Sequence, residues 1–329
     1  MKILITGASG FIGSALVEEA VQLGYEVWAG VRASSALEAL PKEKIKLIDL
    51  PYHDPEALSG QIAGHARQYG AWDYVIHNAG LTKTTRPRDF FLVNAEYTRR
   101  LLMALSQTGC RPGKFLLMSS LATYTAGNQD TMAPIRLDDP QQPGTIYGKS
   151  KLLAEQYVRG QDVIPYVILR PTGVYGPGDK DYRMAIESIR SGFDFAAGMK
   201  PQHITFIYVK DLTQVAFQAL ENAAIQNRAY FVADGDVYTD TQFARLIQEI
   251  LQKKHVFRAR IPLWLVYVVC LCSGWIGRLS GKPHTLNTDK YKILTQRNWI
   301  CDTDPLRKEL GFIPAYDLRK GLEETIRQF

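Results

Sequence analysis

The chain is poor in the residues that build metal centres and disulfide scaffolds. Among 329 residues it has four cysteines, Cys110, Cys270, Cys272 and Cys301, at spacings that match no zinc pattern. Cys270 and Cys272 would point to different faces of a helix, and all four read as free thiols of a reducing cytoplasm. The six histidines form no HxxxH or HExxH pair, so no metal is expected. Clustered charge is also missing. Thirty-nine Lys and Arg against 33 Asp and Glu give a net charge of +6, but they are scattered, which argues against a nucleic-acid partner. Repeats and low-complexity stretches are absent, and no leader precedes the first apolar segment, so a cytoplasmic chain is expected. Long hydrophobic runs come down to one, IPLWLVYVVCLCSGWIGRL (261–279). It approaches the ~20 residues that span a bilayer. Pro262 opens it and Ser273-Gly274 interrupt it, so a core or pocket-covering helix is expected. An interfacial membrane contact is the second reading, and no integral span is expected.

What is present is ordinary for a globular enzyme, with 46% apolar and 22% charged residues. The first 20 residues, MKILITGASGFIGSALVEEA, read as a buried strand, a glycine turn and a helix starting near Phe11. Gly7, Gly10 and Gly13 follow GxxGxxG spacing. Gly7 turns the chain with φ > 0, Gly10 opens room for a diphosphate, and Gly13 lets helix and strand approach. The free N–H groups and positive dipole end of the helix then face the anion. Gly7, Gly10, Phe11, Ile12 and Gly13 are therefore candidate cofactor contacts.

Further strands are expected at 25–31, 44–48, 72–77, 114–118 and 164–169, alternating with helices at 54–69, 88–108 and 145–159. That alternation means βαβ units: an α/β fold with a Rossmann doubly wound parallel sheet and helices on both faces. Gly7, Arg32, Asp49, Asn78, Ser120 and Pro171 all fall at strand C-terminal ends, the edge where such sheets bind ligands. After Pro171 the pattern changes. Short strands at 205–209 and 229–233, a helix from Asp211 with Asp211 as its cap, a helix over 238–253 capped by Asp240 or Thr241, and a C-terminal helix over 318–329 suggest a smaller mixed α/β substrate-binding domain. The boundaries expected are 1–171 with returning segments near 203–235 for the dinucleotide-binding domain, and 172–202 with 236–329 for the second.

Tyr147 and Lys151, four apart in TIYGKSKLLAEQ, share one helix face. A nearby ammonium would lower the phenol pKa from ~10 and suit Tyr147 to proton transfer with a carbinol. Ser120, or Ser119 in its place, would hydrogen-bond the substrate oxygen; the alternative is a turn cap. A second YxxxK, Tyr316 and Lys320, lies far from the glycine turn. At the end of the second strand, EVWAGVRASS has no acid to bind a ribose 2′-OH. Arg32 stands there and suits a 2′-phosphate, favouring NADP(H), with NAD(H) as the other option.

TGASGFIG, Asp49-Leu50, NAG (78–80), Asn94, Ser120, Tyr147 with Lys151, RPTGVYGPGD (170–179), FIYVKDL (206–212) and ELGFIPAYDLRKGLEETI (309–326) together resemble the extended short-chain dehydrogenase/reductases, the NAD-dependent epimerase/dehydratase superfamily. The resemblance implies a Ser120–Tyr147–Lys151 catalytic set. It also implies Asp49 and Leu50 beside the adenine, Asn78, Ala79, Gly80 and Asn94 along the cofactor, and Pro171 and Val174 near the nicotinamide. Thr82, Lys83, Ser120, Thr172 and Tyr208 are candidate substrate contacts. A homodimer is carried as an expectation, and the only other partner expected is a small-molecule substrate.

Nucleotide-sugar epimerases of this kind tend to place an arginine just before (D/T)F(I/V)(Y/H)V, where this chain reads QHITFIYV with Ile204. Arg183, Lys200, Lys210 or Arg297 would have to replace it. Ser120-Leu121-Ala122 lacks the extra acid/base pair of the 4,6-dehydratases. The chain leans instead toward the 3β-hydroxysteroid dehydrogenase and dihydroflavonol reductase branches, which act on apolar alcohols or ketones. An epimerase, and a sensor or scaffold binding NADP(H) without turnover, are the competing readings; the intact Tyr147–Lys151 pair counts against the last.

Overall fold

The computed structural model describes residues 1–280 and 286–328. In chain order the first half holds β1 (Lys2–Thr6), α1 (Phe11–Gln22), β2 (Glu26–Val31), β3 (Ile45–Asp49), α2 (Pro55–Tyr69), β4 (Tyr74–His77), α3 (Pro87–Phe90), α4 (Tyr97–Gln107), β5 (Lys114–Met118), α5 (Ile146–Arg159) and β6 (Tyr166–Pro171). Then come β7 (Gly173–Tyr175), α6 (Asp181–Arg190), β8 (Phe193–Ala197), β9 (His203–Ile204), β10 (Phe206–Tyr208), α7 (Val209–Glu221), β11 (Arg228–Val232), β12 (Tyr238–Thr239), α8 (Asp240–Ile250), β13 (Phe257–Ile261), α9 (Leu263–Ser280), α10 (Thr288–Leu294), β14 (Asn298–Trp299), α11 (Asp304–Leu310) and α12 (Leu318–Arg327).

Seven parallel strands form one sheet in the order β11-β6-β5-β4-β1-β2-β3. Runs such as KILIT and KFLLM are apolar throughout because both sheet faces are covered. One face carries a core with Leu16, Val17, Val215 and Phe217 of α1 and α7; the other carries Leu58, Ile62, Leu101 and Leu105 of α2 and α4. Strand order reverses between β1 and β4, and the loops leaving them touch there. A Cβ on Gly7 would lie 2.8 Å from the Ala79 backbone. That is the switch point at which open α/β sheets take their ligands.

Short sheets β10-β7, β12-β9-β14 and β13-β8 make up much of the remainder, around a second core including Tyr175, Phe206, Tyr208, Phe243 and Leu322. The segments are more interleaved than expected: Leu306 and Phe312, from the part assigned to substrate, pack on the large sheet's core.

Several local expectations change. Asp211 does not cap a helix. The helix begins at Val209, and the Asp211 carboxylate accepts the Ala315 and Tyr316 N–H groups at 3.1 and 3.0 Å instead. Thr239, not Asp240 or Thr241, caps α8, in a capping box with Gln242. The helix expected over 88–108 forms but contains a π-helical stretch, Phe91–Glu96, between α3 and α4. The 261–279 run is helical from Leu263, and it is not a core helix, although Pro262, Leu263 and Trp264 line a pocket with Met199 and Arg297. Trp264 and Trp275 are 67% and 66% exposed, and among its residues with described side chains only Cys270 and Gly277 are fully buried. Among the described residues no helix is long and apolar enough to cross a membrane. The end of the last expected helix, residue 329, lies outside the described residues.

Candidate active site

The glycine turn leaves β1 with Gly7 at φ +66°, which side chains with a Cβ rarely adopt. Gly13 is required for a different reason: a Cβ there would stand 2.0 Å from the Gly7 carbonyl. Gly10 caps α1 with its backbone only, and neither a side-chain cap nor an acid occupies the first turn. The N-terminal N–H groups, including those of Phe11 and Ile12, are therefore left for an anion. Residues 170–179 reach toward this helix start, where a Cβ on Gly178 would lie 3.7 Å from the Phe11 ring. Arg32 follows β2, exposed, with its N–H donating to Ser35 Oγ at 3.0 Å and no carboxylate paired to its guanidinium among the described residues. Asp49 ends β3 exposed beside buried Leu50.

After β4 the chain runs over a polar scaffold. Thr6 Oγ1 bonds His77 Nδ1 at 2.9 Å and accepts the Ala79 N–H at 3.1 Å. Burial, and then the Lys151 charge, push His77 down to about 3, so it is neutral. Asn94, buried on the π-helical stretch, accepts the Leu81 N–H at 2.7 Å and donates to Leu81 O at 3.0 Å and Ser150 Oγ at 2.9 Å. It thus joins the Asn78-Ala79-Gly80 turn to α5. A Cβ on Gly80 would meet Asn94 Oδ1 at 3.0 Å and Lys151 Nζ at 3.2 Å. Asn94 and Lys151 thus close in on the Gly80 backbone and leave no room for a side chain there.

Thr145 starts α5 by accepting the Gly148 N–H at 3.0 Å. Tyr147 sits in the first turn, its ring edge-on to Phe90 at 6.0 Å. Ser120 lies near enough to its phenol to oppose part of the effect of burial on it. Ser120 also caps the turn Leu121–Thr123, its Oγ accepting the Ala122 N–H at 3.1 Å. Catalytic contact and turn cap are thus compatible: the accepted bond leaves the hydroxyl proton available. Lys151 is buried one turn on, Nζ donating to Met118 O at 2.8 Å. Burial pushes it down to about 8, partly opposed by the Glu155 charge. The expected lowering of Tyr147 is reversed. Burial raises the phenol above its ordinary value of 10.0, and the one opposing influence is Ser120 rather than Lys151.

Ser119 is excluded as the substitute. Its hydroxyl donates to Glu155 Oε1 at 2.6 Å, deep in a network the sequence reading missed. Glu155, fully buried, also accepts from Arg170 Nε and Nη2 at 2.9 and 2.8 Å, and from Arg159 and Gln141 at 3.0 Å each. The signal was present: Glu155 continues the Tyr147–Lys151 face, and Arg170 ends an apolar strand. The second YxxxK is structural, with Tyr316 packed on Tyr208 at 4.3 Å and Lys320 donating to Ala315 O at 2.8 Å.

Pro171 is buried at the end of β6, and Val174 packs partly on the core. Thr172 is tied to Val232 O through both its N–H and its hydroxyl. Of the substrate candidates, Thr82 is exposed, and Lys83 forms an ion pair with Asp181 that links the post-β4 loop to α6. Tyr208 is fully buried, its ring against Tyr175 and Tyr316, and so presents no face to a substrate.

Residues 3–233 match the model of the NAD dependent epimerase/dehydratase family. The chain belongs to that family. Members of the NAD-dependent epimerase/dehydratase family with known activities cover nearly all of it. A 3-beta-hydroxysteroid dehydrogenase of Mycolicibacterium neoaurum is 28% identical over 99% of this chain and 90% of its own. An N-acetyl-alpha-D-glucosaminyl-diphospho-ditrans,octacis-undecaprenol 4-epimerase of Escherichia coli O157:H7 is 23% identical over 99% and 94%. In structure, a UDP-glucose 4-epimerase from Thermotoga maritima superposes with a TM-score of 0.78 at 22% identity, over 100% of this chain and 98% of its own, and shares the fold. The protein is a nicotinamide-dependent enzyme of the extended short-chain dehydrogenase/reductase type.

Proposed function

We propose that the protein is a dehydrogenase/reductase acting on an apolar secondary alcohol or ketone, with NADP(H) preferred and with Tyr147 as its acid/base. Gly7, Gly10, Gly13, Gly80, Asn94 and Lys151 would hold the cofactor and Arg32 would meet a 2′-phosphate; the bound cofactor would supply hydride-transfer chemistry at the substrate carbon. The observation that carries the reading is the geometry of α5, which sets Tyr147 in its first turn and Lys151 one turn on with Nζ donating to Met118 O at 2.8 Å, while burial holds the phenol above 10.0. Such a phenol is protonated at neutral pH, which suits donation to a carbonyl oxygen and so favours reduction. Ser120 positions that oxygen. Lys151, fixed by Met118 O, supplies positive charge beneath the site at pH values below about 8.

The apolar substrate is supported by where the cations are engaged. Ile204 occupies the place of the diphosphate-binding arginine, in β9 and partly buried on the second core. Arg183 pairs with Glu187 at 2.7 Å, Lys210 with Glu324, and Arg297 donates to Pro201 O at 3.3 Å, while Lys200 alone of the four is exposed without an ion pair among the described residues. The M. neoaurum relative points the same way. The E. coli relative keeps an epimerase as the second reading, in which the same hydride step runs twice.

Tyr147→Phe tests the assignment. Turnover should fall by about 10²–10⁴-fold while NADPH still binds. Undiminished turnover would remove Tyr147 from the mechanism.

A further inference from the structure

Helix α9 is unusual in what it leaves uncovered. At about 100° per residue, its exposed apolar residues run from Leu271 through Trp264, Trp275, Val268 and Ile276 to Val269, about 160° of its circumference. Every one of them is more than a third exposed. An all-apolar arc that wide is far more than scattered surface hydrophobics. The strand pair leading into α9 is inverted in the same sense. Phe193, Phe195 and Phe257, on one face of β8 and β13, are 48%, 57% and 62% exposed, with ring centroids 6.0–6.5 Å apart. The alternate positions Asp194 and Arg258 pair with each other at 3.2 Å. Here the apolar face of a strand pair is turned to the outside.

In sequence, the segment that carries α9 has charge of one sign. From 250 to 288 the sequence carries Lys253, Lys254, Arg258, Arg260, Arg278 and Lys282 and no Asp or Glu. Arg258 and Arg260 are held by Asp194 and Asp240, while Lys253 and Lys254 are exposed at the turn before β13. Exposed aromatics and aliphatics with a cationic border are the pattern of a helix that lies in the headgroup region of an anionic bilayer. A second copy of the chain fits less well, because a two-fold contact would bring this cation-bordered surface against itself.

We infer that α9, with the Phe193–Phe195–Phe257 face, docks the enzyme in the plane of an anionic membrane surface. Crossing is ruled out by length and by attachment. Eighteen residues reach about 27 Å, short of the ~30 Å hydrocarbon core. Its N-terminal part is also anchored in the body of the protein. Ile261 pairs with Ala197 before the helix, and Tyr267, in its second turn, packs on Tyr291 of α10 at 5.0 Å. The Asp289 carboxylate of α10 accepts the Ile146 N–H at 2.8 Å, so the docked element adjoins the first turn of the helix that carries Tyr147. An apolar substrate dissolved in the bilayer would be met there. That corollary rests on the proposed reductase activity; the docking does not.

The test is flotation of the full chain with vesicles of phosphatidylcholine alone or mixed with phosphatidylglycerol, together with tryptophan emission. The protein should float with the anionic vesicles, shift its emission to the blue, and release as salt rises. Val268→Glu with Leu271→Glu should cut binding at least tenfold while NADPH binding and thermal unfolding stay unchanged. Should that variant fail to fold, Lys253→Glu with Lys254→Glu tests the charge separately and should also weaken binding. Failure to float with either composition overturns the inference. So does a dimer in sedimentation that the Val268→Glu/Leu271→Glu variant converts to monomer without any vesicle binding. Loss of turnover in Tyr147→Phe bears only on the catalytic reading.

Discussion

Replacing Glu155 by leucine should destabilise the protein by about 3–5 kcal/mol, the cost of leaving its buried partner unpaired. The structure shows why the upper half of that range is within reach. Arg170 is 1% exposed, and without Glu155 it keeps only a 3.1 Å hydrogen bond with Tyr124 Oη and its place against the Tyr124 and Phe231 rings. Ser119 loses its acceptor as well. Arg170→Met strands the carboxylate instead, though Ser119, Arg159 and Gln141 still donate to it, so the loss should be somewhat smaller. The double variant Glu155→Leu/Arg170→Met removes both charges and should recover most of either single loss, because an apolar pair of similar volume is commonly neutral relative to a buried ion pair. Urea unfolding of the four proteins closes the cycle. A double variant that loses the sum of the singles would refute the claim that these groups are coupled. The acid limb gives a second readout. Burial pushes Glu155 up, but the Arg170 bond and charge, with Ser119 and Gln141, outweigh it and hold the carboxyl below 4.5. Its contribution is therefore complete above the unfolded value of ~4.3 and is lost as pH falls through the folded one. The double variant should lack that limb.

Arg32→Asp should shift preference from NADPH toward NADH, read as the ratio of the two affinities by nicotinamide fluorescence; an unchanged ratio would leave Arg32 with no part in cofactor choice. Lys151 is depressed from 10.5 to about 8, so the unfolded chain holds the extra proton between those values and wild-type stability should rise relative to Lys151→Met as pH climbs through that window. Parallel pH profiles of the urea midpoints would contradict the burial of that amine. Gly13→Ala places a methyl 2.0 Å from the Gly7 carbonyl and should abolish cofactor binding before it unfolds the sheet, measured by NADPH titration against circular dichroism.

The large sheet was legible because a parallel strand buried on both faces writes itself as an uninterrupted apolar run, and each run ended in a turn residue of a recognisable kind. What escaped depends on partners distant in sequence. Asp211 has the look of a helix cap, but its acceptors serve N–H groups more than 100 residues away, at 315 and 316. Tyr208 sits in a motif that suggests a site, yet packing against Tyr316 encloses it. Glu155 and Arg170 meet only because the fold brings β6 and α5 together. For α9 the composition was read correctly as helical, but of the core and pocket-covering roles expected first, the core role failed because a broad arc of the helix is exposed.

The π-helical stretch Phe91–Glu96 holds one residue more than regular α-helix would need to join α3 to α4. Deleting any one residue there would restore α geometry and turn everything on one side of it by about 100° relative to the other. Asn94 would then leave either the Gly80–Leu81 turn or Ser150, since it bridges them from the middle of the stretch. Chain length at this point is thus fixed by the site rather than by helix stability. A library of single-residue deletions across α3 and α4 should tolerate losses near Gln107 and reject them around Asn94, even though the helix would be more regular for having lost one.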